Sequence, residues 1–527
     1  MQETLKKTLD TIFPLCKATL PAKDWKSVVE ECGPDFEPEK FLNTLSFQAG
    51  DDDKNLLPDL ARLELAAHAA ENTAVATNPE SISINPSLHL LEISWQKLLP
   101  LLNKVHPDDQ DRESEMILVW KLQHSGEVVM RPAIETDLLA LKIIIEEIPP
   151  ESLISGSDLS VGSVDQTLKE AVRKGILLSP GSKIRRDPLF LKAGPAFDAY
   201  QTAEVFTLQW HITQQCDLSC KHCYDRSDRA PMPLEYGLIV LDQMRAFCLE
   251  NYVDGQVSFS GGNPLLYPYF HELYRAAVDR GLGVAILGNP TPKQAMERII
   301  AIRKPAFYQI SLEGLEKQND SIRGAGHFKR ALKFLALLKE LEIYSMVMLT
   351  LTQDNMGEVL PLAEFLRNKT DHFTFNRLSR VGEGANLVSA HRDRFKEFLA
   401  DYLVAAGKNP ILGLKDNLFN ILQFQKGLPP LDGCAGYGCG AAFNFLTVLP
   451  DGEVHACRKF PSLIGNIFDQ SLGDIYFSGG AQRYRNGCTD CSDCPIRPAC
   501  GGCLAIAHSA GHDVFTERDP YCFIESG

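Results

Sequence analysis

The sequence contains no apolar run of the roughly 20 residues that a membrane-spanning helix needs. It also has no excess of basic residues: 53 Lys and Arg stand against 68 Asp and Glu, for a formal net charge of −15. Nucleic-acid binding depends on clustered Lys and Arg, so this balance argues against nucleic acid as the main partner. The first residues enter an amphipathic pattern directly, without the separate apolar segment of a signal peptide. We therefore expect a cytoplasmic protein with no membrane or nucleic-acid partner.

Cysteine is abundant and unevenly distributed. A secreted protein with 15 cysteines would be expected to form disulfides, but 12 of these fall into two tight groups with metal-ligand spacing. Cys16, Cys32 and Cys248 stand apart and are interpreted as ordinary thiols. At 527 residues the chain is also too long for one hydrophobic core, so several domains are expected.

The first cysteine group is Cys216-Asp-Leu-Ser-Cys220-Lys-His-Cys223, directly after an apolar run at 205–212 that predicts a strand. Soft thiolates at this spacing suit an iron–sulfur cluster or zinc. A [4Fe–4S] cluster takes four ligands, so a local set of three would leave one iron open. A zinc site with a remote fourth ligand is the alternative at this point.

Strand and helix patterns alternate from about residue 201 to 425. This alternation predicts parallel strands covered by helices, with functional residues at the carboxyl ends of the strands. The predicted strands are 205–212, 256–260, 284–287, 307–312, 344–351 and 372–376.

Three cysteines at this spacing after a first strand resemble the radical S-adenosylmethionine (SAM) enzymes. The resemblance implies an α/β fold built on a partial (β/α)6 barrel. It also implies that the open iron chelates the amino and carboxylate groups of SAM, and that reductive cleavage of SAM yields a 5′-deoxyadenosyl radical.

Further residues at the strand ends fit this resemblance. The family has Gly-Gly-Glu-Pro after its second strand, a segment that binds the SAM amino group; here the segment is Gly261-Gly262-Asn263-Pro264, in which Asn263 replaces the Glu. An amide oxygen can accept from an ammonium but carries no charge, so we expect a weaker contact. By resemblance, Asn289 lies beside SAM, the SAM carboxylate is held by Ser311 and Arg323, and the ribose is held by Glu313.

The second cysteine group occupies residues 426–527 and contains nine cysteines. In isolation it could form a pair of zinc ribbons. Next to the first group it resembles the SPASM extension of radical SAM enzymes, which carries two auxiliary [4Fe–4S] clusters. The resemblance assigns the first auxiliary cluster to Cys434, Cys439, Cys457 and Cys503, and the second to Cys491, Cys494, Cys500 and Cys522. Cys488 is left over, and three clusters in all are expected.

The N-terminal part of the chain carries no residues that suggest chemistry. Residues 1–80 have helical patterns, including 39–45 and 57–70, with a polar break at 50–53. Residues 81–200 predict strands at 82–94, 116–124 and 127–131, helices at 136–147 and 164–174, and a linker at 180–198. This order resembles the winged-helix domains of ribosomal-peptide maturases, which bind a leader peptide as an added strand. A domain for subunit contacts is the alternative.

Together these patterns predict a radical SAM peptide maturase that forms a thioether from a Cys side chain to carbon in a ribosomally made precursor. The implied partners are a precursor peptide with a leader and a reducing protein such as flavodoxin or ferredoxin. An anaerobic sulfatase maturase, which makes formylglycine, is the nearest alternative. Those enzymes place an acidic residue where this chain has Arg458, after Cys457. A non-catalytic iron–sulfur protein is a third alternative.

The first prediction concerns metal content. Eleven assigned thiolates should hold about twelve iron atoms in three [4Fe–4S] clusters. Anaerobic iron and sulfide analysis of the reconstituted protein measures this number. About four iron atoms together with bound zinc would contradict the auxiliary assignment.

Overall fold

The computed structural model describes residues 2–32, 37, 41–45, 57–75, 78–94, 114–154, 159–187 and 195–524. The chain divides into two compact units, Met1–Gly181 and Ser182–Gly527. The predicted polar break at 50–53 lies outside the described residues. No helix in the part of the chain that the structure describes is long and apolar enough to cross a bilayer.

The first unit combines helices with a small antiparallel sheet. Its strands are β1 (Ser83–Ile84), β2 (His89–Ile93), β3 (Glu115–Lys121), β4 (Val128–Pro132) and β5 (Leu177–Leu178). Strands β2, β3 and β4 form one sheet with β3 in the centre, and β1 pairs with β5. The helices are Gln2–Ile12, Pro14–Thr19, Ala22–Cys32, Leu57–Asn72, Glu135–Ile145, Pro150–Ile154 and Val161–Arg173.

Strand β3 joins the two predicted N-terminal regions, because its side chains alternate between the two faces of the sheet. Ile117 and Val119 are buried in one apolar cluster with the helices before residue 73. Leu118 and Trp120 are buried in another cluster, with residues from the helices Glu135–Ile145 and Val161–Arg173. The helices of region 1–80 therefore pack on one face of the sheet that region 81–181 forms, and the helices of region 81–181 pack on its other face.

The single strand predicted at 82–94 is wrong, because the structure has the two strands β1 and β2 there. Asn85 causes the break: its Oδ1 accepts hydrogen bonds from the backbone N–H of Ser87 at 3.0 Å and from the Ser87 hydroxyl at 2.7 Å. Its amide nitrogen donates to the carbonyls of Lys121 and Gly175. An Asx turn of this kind competes with a continuous strand.

The second unit is built on a nine-stranded sheet. Its strands are β6 (Val205–Thr213), β7 (Asp254–Gly261), β8 (Gly283–Leu287), β9 (Tyr308–Ser311), β10 (Ser345–Leu351), β11 (His372–Arg377), β12 (Phe445–Val448), β13 (Glu453–His455) and β14 (Leu463–Asn466). The spatial order is β11-β10-β9-β8-β7-β6-β12-β13-β14, and the pairs from β6 to β11 are all parallel. All six strands predicted between 201 and 425 are confirmed.

Helices cover this sheet and share its main apolar core. Trp210, Phe259 and Tyr308 are among the largest fully buried side chains. The helices are Leu234–Glu250, Phe270–Asp279, Lys293–Ile300, Glu316–Arg323, His327–Glu340, Val359–Leu366, Arg392–Ala406, Phe419–Gln425, Leu472–Phe477, Gly479–Asn486 and Leu504–Ser509.

The cysteine-rich tail continues the barrel sheet. The hairpin predicted around Pro450-Asp451-Gly452 is confirmed as the antiparallel pair β12 and β13. Strand β12 also pairs in parallel with β6, where Phe445 is opposite Thr207. The tail is therefore attached by backbone hydrogen bonds to the strand that leads into the first cysteine group.

Part of the predicted linker at 180–198 is incorporated into the second unit, so the prediction is wrong there. Ile184 is fully buried, and the Arg186 guanidinium donates to the carbonyls of Tyr437 and Cys439 at 2.7 and 2.8 Å. Arg186 also lies over the Phe443 ring at 4.1 Å. Burial is the main reason why the pKa of Arg186 falls to about 10.

Candidate active site and iron–sulfur centres

A cavity opens where the parallel strands end. The structure brings together eight predicted residues along its wall, namely Cys216, Cys220, Cys223, Gly261, Gly262, Asn289, Ser311 and Arg323. They come from four separate segments of the chain, which meet because the carboxyl ends of parallel strands share one edge of the sheet. Three thiols, a guanidinium and an amide at one cavity fit a three-thiolate cluster with an amino acid bound beside it.

Gly261 and Gly262 allow the chain to pass directly against the segment that leads into the first cysteine group. A Cβ atom on Gly261 would lie 2.1 Å from the Thr213 carbonyl oxygen, and one on Gly262 would lie 2.2 Å from that of Gln215. Gly261 also has a φ of 121°, which disfavours other residues. The backbone N–H of Gly262 donates to Thr213 at 2.9 Å. Glycine at both positions thus fixes the start of the cysteine loop.

The same loop is held at two further places. The Lys221 N–H donates to the Ile322 carbonyl at 3.1 Å, and the Glu383 N–H donates to the Cys223 carbonyl at 2.9 Å. Gly382 lies against the loop so closely that a Cβ atom there would be 2.5 Å from the Tyr224 carbonyl oxygen. The thiols are therefore positioned by the barrel rather than by the loop alone.

Arg323 is held in a buried charged group. Its Nε and Nη2 donate to Oε1 of Glu313 at 2.9 and 2.7 Å, and its Nη1 lies 3.7 Å from the Cys220 sulfur. His222 Nε2 lies 3.2 Å from the same Glu313 oxygen. Burial by itself would raise the pKa of Glu313, but His222 and Arg323 lower it to about 2. Glu313 therefore remains a carboxylate and orients the guanidinium toward the cavity.

Glu313 and Asn263 do not line the cavity, although the resemblance assigned SAM contacts to both. Glu313 is 1% exposed, and its second oxygen accepts from the Thr350 N–H at 2.8 Å. Asn263 is 4% exposed, and its oxygen accepts from the Leu265 N–H at 3.3 Å. In this structure Glu313 supports Arg323 from behind, and the Asn263 oxygen is engaged within its own turn.

A second cavity lies beside the first. Its wall includes the four thiols assigned to the first auxiliary cluster, Cys434, Cys439, Cys457 and Cys503. They come from separate loops that backbone contacts hold together; for example, the Cys439 N–H donates to the Cys500 carbonyl at 3.0 Å. Four thiols on one cavity are a suitable ligand set for a [4Fe–4S] cluster.

A third, smaller cavity has the other assigned set on its wall, Cys491, Cys494, Cys500 and Cys522. Cys488 is absent from this wall, but it is buried and its carbonyl accepts a hydrogen bond from the Cys491 N–H at 3.3 Å. Each of the three predicted thiol sets thus converges on a cavity of its own. Their roles as cluster ligands remain a prediction that the iron analysis tests.

Most of the thiols around these cavities are partly buried, whereas Cys216 is exposed. Burial is the main reason why the pKa of Cys439 rises to about 11 and that of Cys503 to about 12. Cysteines bind iron as thiolates, so cluster assembly must displace protons from these groups.

A buried charged network joins the barrel to the tail. Arg377, at the end of β11, donates two hydrogen bonds to Asp519 at 2.9 and 2.7 Å and one to Asp416 at 2.7 Å. Asp519 in turn accepts from the backbone N–H of Cys503 at 2.9 Å. Arg377 therefore positions a segment that carries assigned ligands of both auxiliary clusters.

Comparison with protein families gives two matches on this chain. The radical SAM superfamily matches residues 210–366, and the SPASM iron–sulfur cluster-binding domain matches residues 439–503. The first range contains the three-thiol loop and the second contains most of the tail cysteines. The chain contains a radical SAM domain and a SPASM domain, and members of the radical SAM superfamily are enzymes. Its cofactors are S-adenosylmethionine and multiple [4Fe–4S] clusters.

The enzyme is similar to proteins of differing function. The subtilosin biosynthesis protein AlbA of Bacillus subtilis is 25% identical over 56% of this chain, a match that spans 66% of AlbA. An AdoMet-dependent heme synthase of Methanosarcina barkeri is 25% identical over 61% of this chain and 97% of its own length. The structure of Streptococcus suis SuiB bound to its precursor peptide SuiA has a TM-score of 0.50 at 18% identity, covering 78% of this chain and 97% of SuiB. That likeness shows a shared fold.

Several residues of the site were not predicted from the sequence. His222 and Asp217 lie within the first cysteine motif, so their position was a signal that could have been used. Arg377 follows a predicted strand directly, in the place where functional residues were expected. Arg186 lies in a stretch rich in Pro and Gly, and nothing in the sequence indicated its hydrogen bonds to the tail or its partial burial.

The second prediction concerns Glu313. Glu313→Gln removes the carboxylate from a buried ion pair, which should destabilise the second unit by about 3–5 kcal/mol because Arg323 stays charged and unpaired. Scanning calorimetry measures this loss. The stabilisation is present above the ordinary carboxyl pKa of 4.5 and is lost as the pH falls toward about 2.

Glu316→Gln is the matched control, since Glu316 pairs with Lys329 at 2.9 Å on the surface. Exposed pairs of this kind contribute about 0–1 kcal/mol. Equal stability of the two variants would show that the Glu313 charge is not needed.

Proposed function

We propose that this radical SAM enzyme oxidatively modifies a ribosomally made precursor peptide and forms a thioether between a Cys sulfur and a carbon centre. The observation that supports this proposal is a pair of adjacent cavities with a common wall. The cavity of Cys216 and the cavity of Cys434 share the lining residues Leu287, Gln309, Asn376, Arg377, Arg458 and Lys459. A peptide segment at this wall would be next to both redox centres.

This arrangement suits a net two-electron oxidation. Cys216, Cys220 and Cys223 would hold the cluster that binds SAM, which would supply the removal of one hydrogen atom from a peptide carbon. Cys434, Cys439, Cys457 and Cys503 would hold an auxiliary cluster, which would supply an acceptor for the remaining electron of the carbon–sulfur bond-forming oxidation. The thiol proton leaves to solvent or a nearby base. SAM is consumed as methionine and 5′-deoxyadenosine, so hydrogen atoms and electrons balance.

Cationic side chains at the common wall suit a sulfur substrate. Arg458 and Lys459 form no side-chain hydrogen bond or ion pair with any other residue that the structure describes. Nearby positive charge favours the thiolate form of a cysteine, which is the nucleophilic form. A sulfatase maturase would instead be expected to carry an acidic residue at position 458.

The resemblance of the first unit to leader-binding domains also supports a peptide substrate. Strands β2 and β4 are the two edges of its antiparallel sheet. An extended peptide can add to such an edge through backbone hydrogen bonds. AlbA takes part in bacteriocin biosynthesis and SuiB has been solved with a precursor peptide, which agrees with this class of substrate.

The third prediction is the outcome of anaerobic turnover with SAM, a reductant and any small Cys-containing peptide found to be encoded beside this protein. Mass spectrometry should show the loss of two hydrogens per modified Cys, with sulfur retained, because a thioether keeps the sulfur atom. Formation of formylglycine from Cys would remove sulfur and would contradict the thioether. A control without SAM should leave the peptide unchanged.

The fourth prediction concerns the leader. Deleting residues 1–181 removes one compact unit and leaves every assigned cluster ligand in place. Peptide modification should then collapse, whereas reductive formation of 5′-deoxyadenosine from SAM should persist. Iron content of the truncated enzyme is the control for folding. Equal peptide affinity and modification in both forms would rule out leader binding by this unit.

A further inference from the structure

Asp217, the residue after the first cysteine, is held between the ends of two barrel strands. Its Oδ1 accepts hydrogen bonds from the amide nitrogen of Asn289 at 2.6 Å and from that of Asn263 at 3.0 Å. The Asn289 amide also lies 3.5 Å from the Cys216 sulfur. The Asp217 carboxylate is therefore fixed next to the three-thiol loop, against the segment that binds the SAM amino group in related enzymes.

The backbone around Asn263 and Asn289 makes this position rigid. The Asn263 N–H donates to the Gln215 carbonyl at 2.7 Å, and the Tyr308 hydroxyl donates to the Asn289 carbonyl at 2.8 Å. A Cβ atom on Gly288 would lie 2.7 Å from the Tyr308 oxygen and 3.4 Å from the Asn263 oxygen. Both amides are thus built into close packing, and the carboxylate they hold has a defined place.

Asp217 is exposed and is not itself on the cavity wall, but its partner Asn289 and its chain neighbours Cys216 and Leu218 are. It differs in its partners from the other carboxylates near this cavity. Glu313 is paired with Arg323, and Asp225 lies 3.5 Å from Arg229. Among the residues that the structure describes, Asp217 contacts only neutral donors, and both of them bind the same oxygen. Its negative charge and its second oxygen are therefore left for a cationic group.

We propose that Asp217 supplies the negative charge that receives the SAM ammonium group, in place of the Glu that related enzymes carry at the position of Asn263. The negative charge would then lie in the cysteine loop of this chain, whereas in related enzymes it lies in the turn after the second strand. Asn263 and Asn289 act as positioning residues that orient the carboxylate. This assignment concerns the cofactor and does not depend on the peptide substrate.

A purely structural role for Asp217 makes a different prediction. Two amide N–H donors need only an acceptor oxygen, which an Asn side chain at position 217 also provides. Asp217→Asn therefore keeps the packing and the acceptor but removes the charge. Charge-assisted hydrogen bonds are stronger than neutral ones. Loss of the charge should therefore weaken SAM binding if Asp217 contacts the ammonium group, and should leave it unchanged if the role of Asp217 is only structural.

The test is SAM affinity in the cluster-loaded enzyme, measured by anaerobic equilibrium dialysis. Asp217→Asn should raise the Kd for SAM by about tenfold or more. The Kd for 5′-methylthioadenosine, which lacks the amino group, should stay unchanged. Asp228→Asn is the matched control, because it removes an exposed charge from the same loop, and it should leave SAM affinity unchanged.

Wild-type SAM affinity in Asp217→Asn with full iron content overturns the proposal, as does an equal loss of affinity for 5′-methylthioadenosine. If Asp217→Glu assembles the cluster and Asp217→Asn does not, Asp217 serves cluster assembly and the proposal is also overturned.

Discussion

The buried contact between Arg377 and its two carboxylates is the interaction on which the arrangement of the second unit depends. It joins the end of β11, the segment of Asp416 and the tail at Asp519 in one network. Burial by itself would lower the pKa of Arg377, but Asp416 and Asp519 keep it above its usual value, so the network stays charged. Removing one partner from such a group is costly, since it leaves a buried charge uncompensated. The tail cysteines are therefore positioned by the barrel itself.

The barrel also sets the positions of the residues in the first cysteine group. The cysteines lie on an irregular loop, and the loop takes its shape from strand ends that approach it through Gly261, Gly262 and Gly382. Hydrogen bonds from neighbouring side chains fix the charged groups at this site: Glu313 orients Arg323, and two amides hold Asp217. Rigid supports of this kind would place the proposed cofactor-binding groups before the cofactor arrives, so that less ordering is needed on binding.

The two larger cavities explain why barrel and tail belong to one catalytic unit. Strand β12 of the tail extends the barrel sheet next to β6, and the first cysteine loop follows β6 directly. The thiol set assigned to the first auxiliary cluster is thereby brought to a cavity that adjoins the cavity of the first cysteine loop. A substrate at their common wall could lose a hydrogen atom on one side and an electron on the other, as the proposed oxidation requires.

The sequence by itself determined the class of chemistry, because thiol spacing and strand–helix alternation are local patterns. It predicted all six parallel strands, the tail hairpin and the residues whose thiols converge on three cavities. Only the tertiary structure decided which side chains face the cavity. Glu313 and Asn263 have the expected sequence positions yet lie behind its wall, while Asp217, Arg186 and Arg377 acquire their roles from distant partners. Such contacts join residues far apart in the chain, and no local spacing encodes them.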